Sequence, residues 1–419
     1  MRILQGKAAD RYVRSLERRG SQLATIEPAV RKIVEDVRQN GDRALLKHAR
    51  RFDGFRPGMS LKVSESELRE AWKAAPKQLR SALRLAENNI RRFAQGQKPK
   101  PWRRARDGAV LGQLVRPVDS AGCYVPGGRF PLVSTLLMTV IPAQVAGVRN
   151  IRVVSPRPSR EVLAAAGMLG VEEFYRVGGA QAIAALAYGT ESIAPVDKIV
   201  GPGNRYVTVA KKLVSFDCAI DMLAGPTEGM IVSDNGQPAF LAADLLAQAE
   251  HDPETLVNLV TTSRKLAEQV SREVKYGGRG RPPLSDNRIA AQSISSRGAI
   301  LIARSKSEAF DWANRIAPEH ITVEKRSLRL VQNAGSIFVG DYSAQAAGDY
   351  ASGPNHVLPT AGAARFRGGL SVMDFVKLIT VQDLSSRGLD RIAKSVVALA
   401  ETEGLQAHAS SIRVRCARA

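Results

Sequence analysis

Cysteine is scarce in this chain. The three present, Cys123, Cys218 and Cys416, are odd in number and far apart. No disulfide framework and no paired-cysteine metal or redox site is implied, and a reducing, cytoplasmic setting is expected. Aromatic residues make up only 5% of the chain, too few for the stacking platforms that hold single-stranded nucleic acid. Zinc-finger spacing and an RNA-binding sheet signature are both missing. Long apolar runs are missing as well. The most hydrophobic window, FPLVSTLLMTVIPAQVAGV (130–148), carries two prolines, Ser134 and Thr135, and reads as a buried helix, not a membrane span. The opening stretch MRILQGKAAD holds no apolar signal core.

Positive charge is plentiful. Lys and Arg number 61 against 40 Asp and Glu, a net +21. The cations are scattered, with denser groups between Arg91 and Arg106 and between Arg272 and Arg281. A solvated basic surface that attracts small anions is the reading, with neither specific nucleic-acid binding nor a membrane partner expected. Hydrophobic residues at 44% of the chain allow a sizeable core.

The periodicity changes along the chain. Residues 1–108 read as helical and charged. In TIEPAVRKIVEDVRQNG (25–41), Ile26, Val30, Ile33, Val34 and Val37 form one stripe, and Asn40-Gly41 is a stop signal. From residue 109, short β-branched runs alternate with amphipathic segments: NIRVVSP (150–156), REVLAAAGMLG (160–170), EFYRVGG (173–179) and AQAIAALAYG (180–189). That alternation predicts a mainly parallel α/β sheet. Gly-rich turns at 127–128, 178–179 and 201–203 fall where strands end, and ligands of such sheets bind beyond the carboxyl ends of strands. A second α/β set follows between residues 228 and 340, and YGGRGRPPLSDN (276–287) reads as a mobile loop. The expected class is α/β: two Rossmann-like, mainly parallel-sheet domains plus small helical terminal elements. One domain joins 20–108 to 235–380; the other, 109–234, is inserted in it; 1–19 and 381–419 are the terminal elements.

Of the five histidines, His48 lies on a charged helix (LLKHARRF) and reads as a surface residue. The other four sit beside acids or amides at the ends of apolar segments. Gln248 and His251, in LLAQAEHDPE, are three apart and leave one face of a helix end, where a metal could accept both. A C-terminal histidine favoured by the helix dipole is the plainer alternative. APEHI (317–321) sets Glu319 beside His320. Neighbours on extended chain point apart, so the two serve one site only where the backbone turns. Asp349 and His356 flank Gly353-Pro354 in a loop, and Glu403 and His408 fall in the last twenty residues. Each group alone has a purely structural reading. Together, histidine, glutamine and aspartate make an oxygen and nitrogen donor set suited to zinc.

At this point the chain resembles a family. YVPGG, GGAQAIAALAYGT, IDMLAGPTE, ADLLAQAEHDP, APEHI, GDYASGPNHVLPT and EGLQAHA, in this order between residues 124 and 409, are similar to histidinol dehydrogenase. The resemblance implies an enzyme of histidine biosynthesis. It would oxidise L-histidinol to L-histidine through histidinal with zinc and two NAD, as a homodimer with exchanged tails. It implies Gln248, His251 and Asp349 as zinc ligands, with His408 from the partner's tail. It implies Glu319 and His320 as the acid/base pair. Thr227, His356 and Glu403 would line the substrate pocket with Gln248, His251, His320, Asp349 and His408, and Tyr124, Gln181 and Asn204 would bind the nicotinamide cofactor. Three positions depart from the family pattern: Thr227 where serine is common, Gln345 where glutamate is common, and basic Arg129. Related dehydrogenases that act on sulfopropanediol also carry GPTE, so a paralogous zinc and NAD dehydrogenase of another small polar alcohol is the alternative. Glu403 and His408 favour a cationic substrate.

Overall fold

The computed structural model describes residues 1–419 except 18, 20–22, 128–131, 277–283, 285–286 and 417–419. Arg129 and most of the 276–287 segment lie outside the described residues.

The strands are β1 (Arg2–Gln5), β2 (Lys62–Val63), β3 (Trp102–Arg106), β4 (Ala109–Pro117), β5 (Ser120–Tyr124), β6 (Asn150–Val154), β7 (Glu173–Tyr175), β8 (Lys198–Val200), β9 (Ala219–Ile220), β10 (Glu228–Val232), β11 (Leu256–Thr261), β12 (Ala299–Ile302), β13 (His320–Val323), β14 (Ser336–Val339) and β15 (Val376–Leu384). Two six-stranded sheets carry the fold. The first runs β1-β12-β11-β10-β13-β14 and is parallel throughout. The second runs β2-β7-β6-β5-β8-β9 and is parallel except for β2 against β7. In each, the first long strand of the set (β10 or β5) lies inside the sheet and the chain winds outward both ways, the doubly wound pattern. Central strands such as β10 (EGMIV) and β11 (LVNLVT) are buried on both faces, which is why they read as continuous apolar runs rather than alternating ones. The α/β, mainly parallel class is as the sequence indicates.

The grouping of segments differs from the sequence reading. Residues 23–97 cover the second sheet, not the first, and β3 belongs to a third. Val30, Val34, Val37 and Leu45 pack with Tyr124, Val154, Ile183 and Ile199, while Leu68, Leu83 and Ile90 pack with Ala121, Leu136, Val153 and Phe174. Residues 1–19 are not a separate element either. β1 adds to the edge of the first sheet beside β12, and Ala9, Val13 and Leu16 of the helix Lys7–Glu17 pack with Met230, Val232 and Trp312. An apolar stripe fixes that a helix must be covered but not by which sheet.

The stop at Asn40-Gly41 is a sharp break. Gly41 has φ 49° and ψ −134° inside the run Glu27–Phe52. The chain after it turns back so that His48 is buried and hydrogen-bonded through Nε2 to Asp36 Oδ2 at 2.8 Å, which corrects the expectation of a surface residue. The apolar 130–148 window is the buried helix Val133–Ala146. Among the described residues no helix is long and apolar enough to cross a membrane. A third, antiparallel sheet, β15-β4-β3, leads into two terminal helices, Ser386–Thr402 and Gln406–Arg413, which pack on each other through Val397, Ala400 and Ala409.

Candidate active site

The helix Pro238–Ala249 leaves the carboxyl end of β10 and returns along the first sheet, delivering Gln248 in its last turn to the amino edge of the strands. β13 starts there with His320, paired in register with Gly229 of β10. A Cβ at Gly229 would stand 2.9 Å from the Gln248 Cγ, so glycine is what lets the helix end close on the sheet. The cluster thus forms at the amino ends of β10 and β13, opposite to the carboxyl-end position expected of ligand sites in such sheets. The turns at Gly178-Gly179 and at 201–203 of the second sheet do lie at carboxyl ends.

Ala317, in the left-handed region at φ 50°, ends the helix Lys306–Ile316 and turns the chain just before Glu319. The Glu319 carboxylate then folds back: Oε2 accepts a hydrogen bond from the Glu228 backbone N–H at 2.9 Å and lies 3.7 Å from His320 Nδ1. The two neighbours therefore meet. His320 is 3% exposed, its Nε2 stands 3.4 Å from Asp349 Oδ1, and its ring stacks on Phe338 with centroids 5.8 Å apart. Burial pushes Glu319 up to about 8. Burial also opposes charge on His320, but the Glu319 and Asp349 carboxylates outweigh it and hold the imidazole above its ordinary value. Asp349 is partly buried, which raises a carboxyl group, yet the imidazoles of His320, His356 and His251 keep it below the usual range. A pair of titratable groups whose surroundings push them toward neutral pH is what proton transfer at pH 7 needs.

Gln248 is 1% exposed, and its Nε2 points to Asp349 Oδ2 at 3.5 Å. Its Oε1 is buried with no hydrogen-bond partner. An orphaned acceptor of this kind is costly unless a ligand meets it. His251, just past the helix end, is exposed. Among the described residues no three His, Cys, Asp or Glu side chains converge closely enough to hold a metal by themselves. Gln248 Oε1, the Asp349 carboxylate and the His251 imidazole are the donors one chain offers. His356 Nδ1 donates to the Asp349 backbone carbonyl at 2.7 Å, so its Nε2 is the accepting nitrogen and takes a hydrogen bond from Thr135 Oγ1 at 3.3 Å. Burial holds this ring below the ordinary histidine value. Thr135 belongs to the helix Val133–Ala146 of the other half, and sequence reasoning missed it, as it missed Phe338. A cleft of about 390 Å³ opens beside the cluster, lined by His320, Ser336, Phe338, Tyr342, Asn355 and His356. Thr227 sits at the start of β10, half-buried.

Gln345 is buried, and its carboxamide oxygen has no hydrogen-bond partner. Its Nε2 donates to the Met230 carbonyl at 3.2 Å and to Thr322 Oγ1 at 3.0 Å, bonds that a carboxylate could not donate. Glu403 and His408 are exposed on the terminal helical pair, and among the described residues neither side chain makes a hydrogen bond or ion pair with the cluster.

At the second sheet, Tyr124 and Gln181 meet around the Gly178-Gly179 turn. The Tyr124 hydroxyl accepts from Gly179 N–H at 3.1 Å, and Gln181 Nε2 donates to Asp53 Oδ2 at 3.0 Å. Both side chains are buried, and burial pushes the Tyr124 phenol up to about 12. Asn204 is exposed and caps the helix Arg205–Val214 through Oδ1, leaving its NH₂ free. Nearby, Gly201 at φ 114° packs against the Tyr124 backbone. Asp221 Oδ2 accepts from Gly201 N–H at 2.8 Å, and Lys211, paired with Asp221, donates to the Gly201 carbonyl at 3.0 Å. This buried pair holds both polar groups of one glycine.

A sequence profile for histidinol dehydrogenase matches residues 16–416. The chain is 47% identical to the histidinol dehydrogenase of Methanothermobacter thermautotrophicus over 402 residues, 92% of each protein. It is 46% identical to that of Thermus thermophilus over 415 residues, 97% of this chain and 99% of the relative. The crystal structure of histidinol dehydrogenase from Elizabethkingia anophelis is similar throughout, with a TM-score of 0.93 at 34% identity, covering 99% of this chain and 98% of that one.

Proposed function

The chain belongs to the histidinol dehydrogenase family of oxidoreductases, and on that basis we propose that it oxidises L-histidinol to L-histidine through histidinal in the cytoplasm, with zinc and two NAD. The observation that carries the reading is the meeting of Gln248, Glu319, His320 and Asp349, from three distant segments, beside one cleft. The orphaned Gln248 Oε1 and the neighbouring Asp349 carboxylate and His251 imidazole fit zinc as donors. His408, exposed and with no side-chain hydrogen bond or ion pair among the described residues, completes the set from a second copy whose tail crosses over. Zinc held there would supply an anchor for the amine and imidazole of the substrate, and NAD would supply the hydride acceptor for each oxidation.

The protein's own groups do the rest. His320 takes the alcohol proton, with Asp349 and Glu319 stabilising the imidazolium that forms. Glu319 takes a proton from the water that attacks the aldehyde; a base with a value near 8 is strong enough for that near neutral pH. Thr227, His356 and Glu403 of the second copy's tail line the pocket, Glu403 facing the ammonium group. Tyr124, Gln181 and Asn204 receive the nicotinamide cofactor.

The test is NADH formation with L-histidinol and, separately, with sulfopropanediol, before and after chelation and after zinc is restored. Activity with histidinol that disappears with chelator and returns with zinc is expected. A zinc-replete preparation inactive on histidinol overturns the reading.

A further inference from the structure

Asp53 lies just past the helix Glu27–Phe52 and is 7% exposed. One of its oxygens, Oδ2, accepts two hydrogen bonds: from Gly178 N–H at 3.0 Å and from Gln181 Nε2 at 3.0 Å. A glutamine carboxamide has two ends of nearly the same shape, one donating and one accepting. A carboxylate only accepts, so Asp53 can engage only the NH₂ end of Gln181. The carboxamide oxygen is thereby left as the end that does not face Asp53; an added Cβ at Gly179 would stand 2.8 Å from it and 3.1 Å from Nε2, so the carboxamide lies against that glycine. The Gly179 N–H is already spent on the Tyr124 hydroxyl, which leaves the phenolic hydrogen to donate. The turn thus offers one fixed acceptor and one fixed donor side by side.

We propose that Asp53 is a positioning residue of the cofactor site: it locks the Gln181 carboxamide with its oxygen outward, so that the ligand group met there is a hydrogen-bond donor. A ribose hydroxyl and the carboxamide N–H of nicotinamide both have that chemistry. The proposal rests on the reading of Gln181 as a cofactor contact. The lock is geometric rather than electrostatic. An asparagine at 53 keeps it, because the Gly178 N–H, an obligate donor, selects the amide oxygen and so returns an acceptor to the place Oδ2 holds.

The experiment uses the zinc-loaded enzyme and steady-state kinetics in NAD and histidinol. Asp53→Ala is expected to raise KM for NAD about tenfold, the worth of one hydrogen bond of about 1.4 kcal/mol. KM for histidinol and zinc content should stay within about twofold, while Asp53→Asn stays within about threefold of the parent for NAD. Asp53→Ala added to Gln181→Ala should cost nothing further, since one interaction cannot be lost twice. An unchanged KM for NAD in Asp53→Ala, or additive losses in the double variant, overturns the proposal. If Gln181→Ala alone leaves KM for NAD unchanged, the reading of Gln181 falls and the proposal with it. The 3-acetylpyridine analogue of NAD, which lacks the amide N–H, separates the two donors. An Asp53→Ala effect that persists with it assigns the ribose, and one that vanishes assigns the carboxamide. If Asp53→Ala fails to fold, Gln181→Glu probes the pair from its other side. Setting two acceptors face to face should raise KM for NAD, and adding Asp53→Asn, whose oxygen the Gly178 N–H still holds against residue 181, should recover less than about threefold; recovery of the parental KM overturns the proposal.

Discussion

At the scale of single residues, Glu319 and His320 are divided from Gln248 and His251 by what they touch. His320→Asn should lower kcat by about a hundredfold or more, as loss of a positioned base does, with zinc content measured by mass spectrometry nearly unchanged. His251→Asn should lose the metal. Equal metal loss in both would show the division to be mistaken. The pH dependence follows from sign. A base works unprotonated, and burial pushes Glu319 up to about 8 while carboxylates hold His320 above its ordinary value. Both shifts delay the active form to higher pH. The kcat/KM for histidinol should therefore rise through neutral pH and level only above about 8, and Glu319→Gln should remove most of the activity and move what remains of that limb to lower pH, since His320 then titrates without the Glu319 carboxylate beside it. The structure brings Gln248, Glu319, His320 and Asp349 together, and the candidate residues themselves were legible in the sequence because they are rare types at segment ends. Asp53 and Thr135 were not. An aspartate after a helix and a threonine inside one are ordinary in any chain, and only the packing of distant segments gives them work.

Among the elements, the strand–helix alternation from residue 109 onward was readable because buried parallel strands are continuous apolar runs and Gly-rich turns punctuate them. Which sheet each early helix covers was not, since an amphipathic stripe carries no address. Nor was the placing of the cluster at the amino edge of the first sheet. That depends on the length of the helix Pro238–Ala249, which returns Gln248 to the start of β10. The turn after β8 makes an element-scale prediction. Lys211 and Asp221 are 3% and 0% exposed and together hold the two polar groups of Gly201. Lys211→Met strands a buried carboxylate, at a cost of about 3–5 kcal/mol. Urea denaturation should register that loss, whereas Lys211→Met with Asp221→Asn should recover at least half of it. A single variant as stable as the parent would show that the pair is dispensable.

For the whole molecule, the exposed tail matters most. If His408 and Glu403 act on a second copy, a His251→Asn chain and a His408→Asn chain fail separately yet complement each other. In a mixed dimer one site carries both lesions and the other carries none. Subunits unfolded together and refolded at equal ratio should regain about a quarter of parental activity, since about half the dimers are mixed and each has one sound site. No regain would place the tail on its own chain. The front of the chain has a reach of a different kind. Arg19 grips the buried Glu228 carboxylate with two hydrogen bonds of 2.7 and 2.6 Å, and the Glu228 backbone in turn holds Glu319. A truncation that took the first nineteen residues, at many chain ends a cosmetic loss, would here remove an edge strand and a guanidinium, and the injury would surface as a fault in proton transfer.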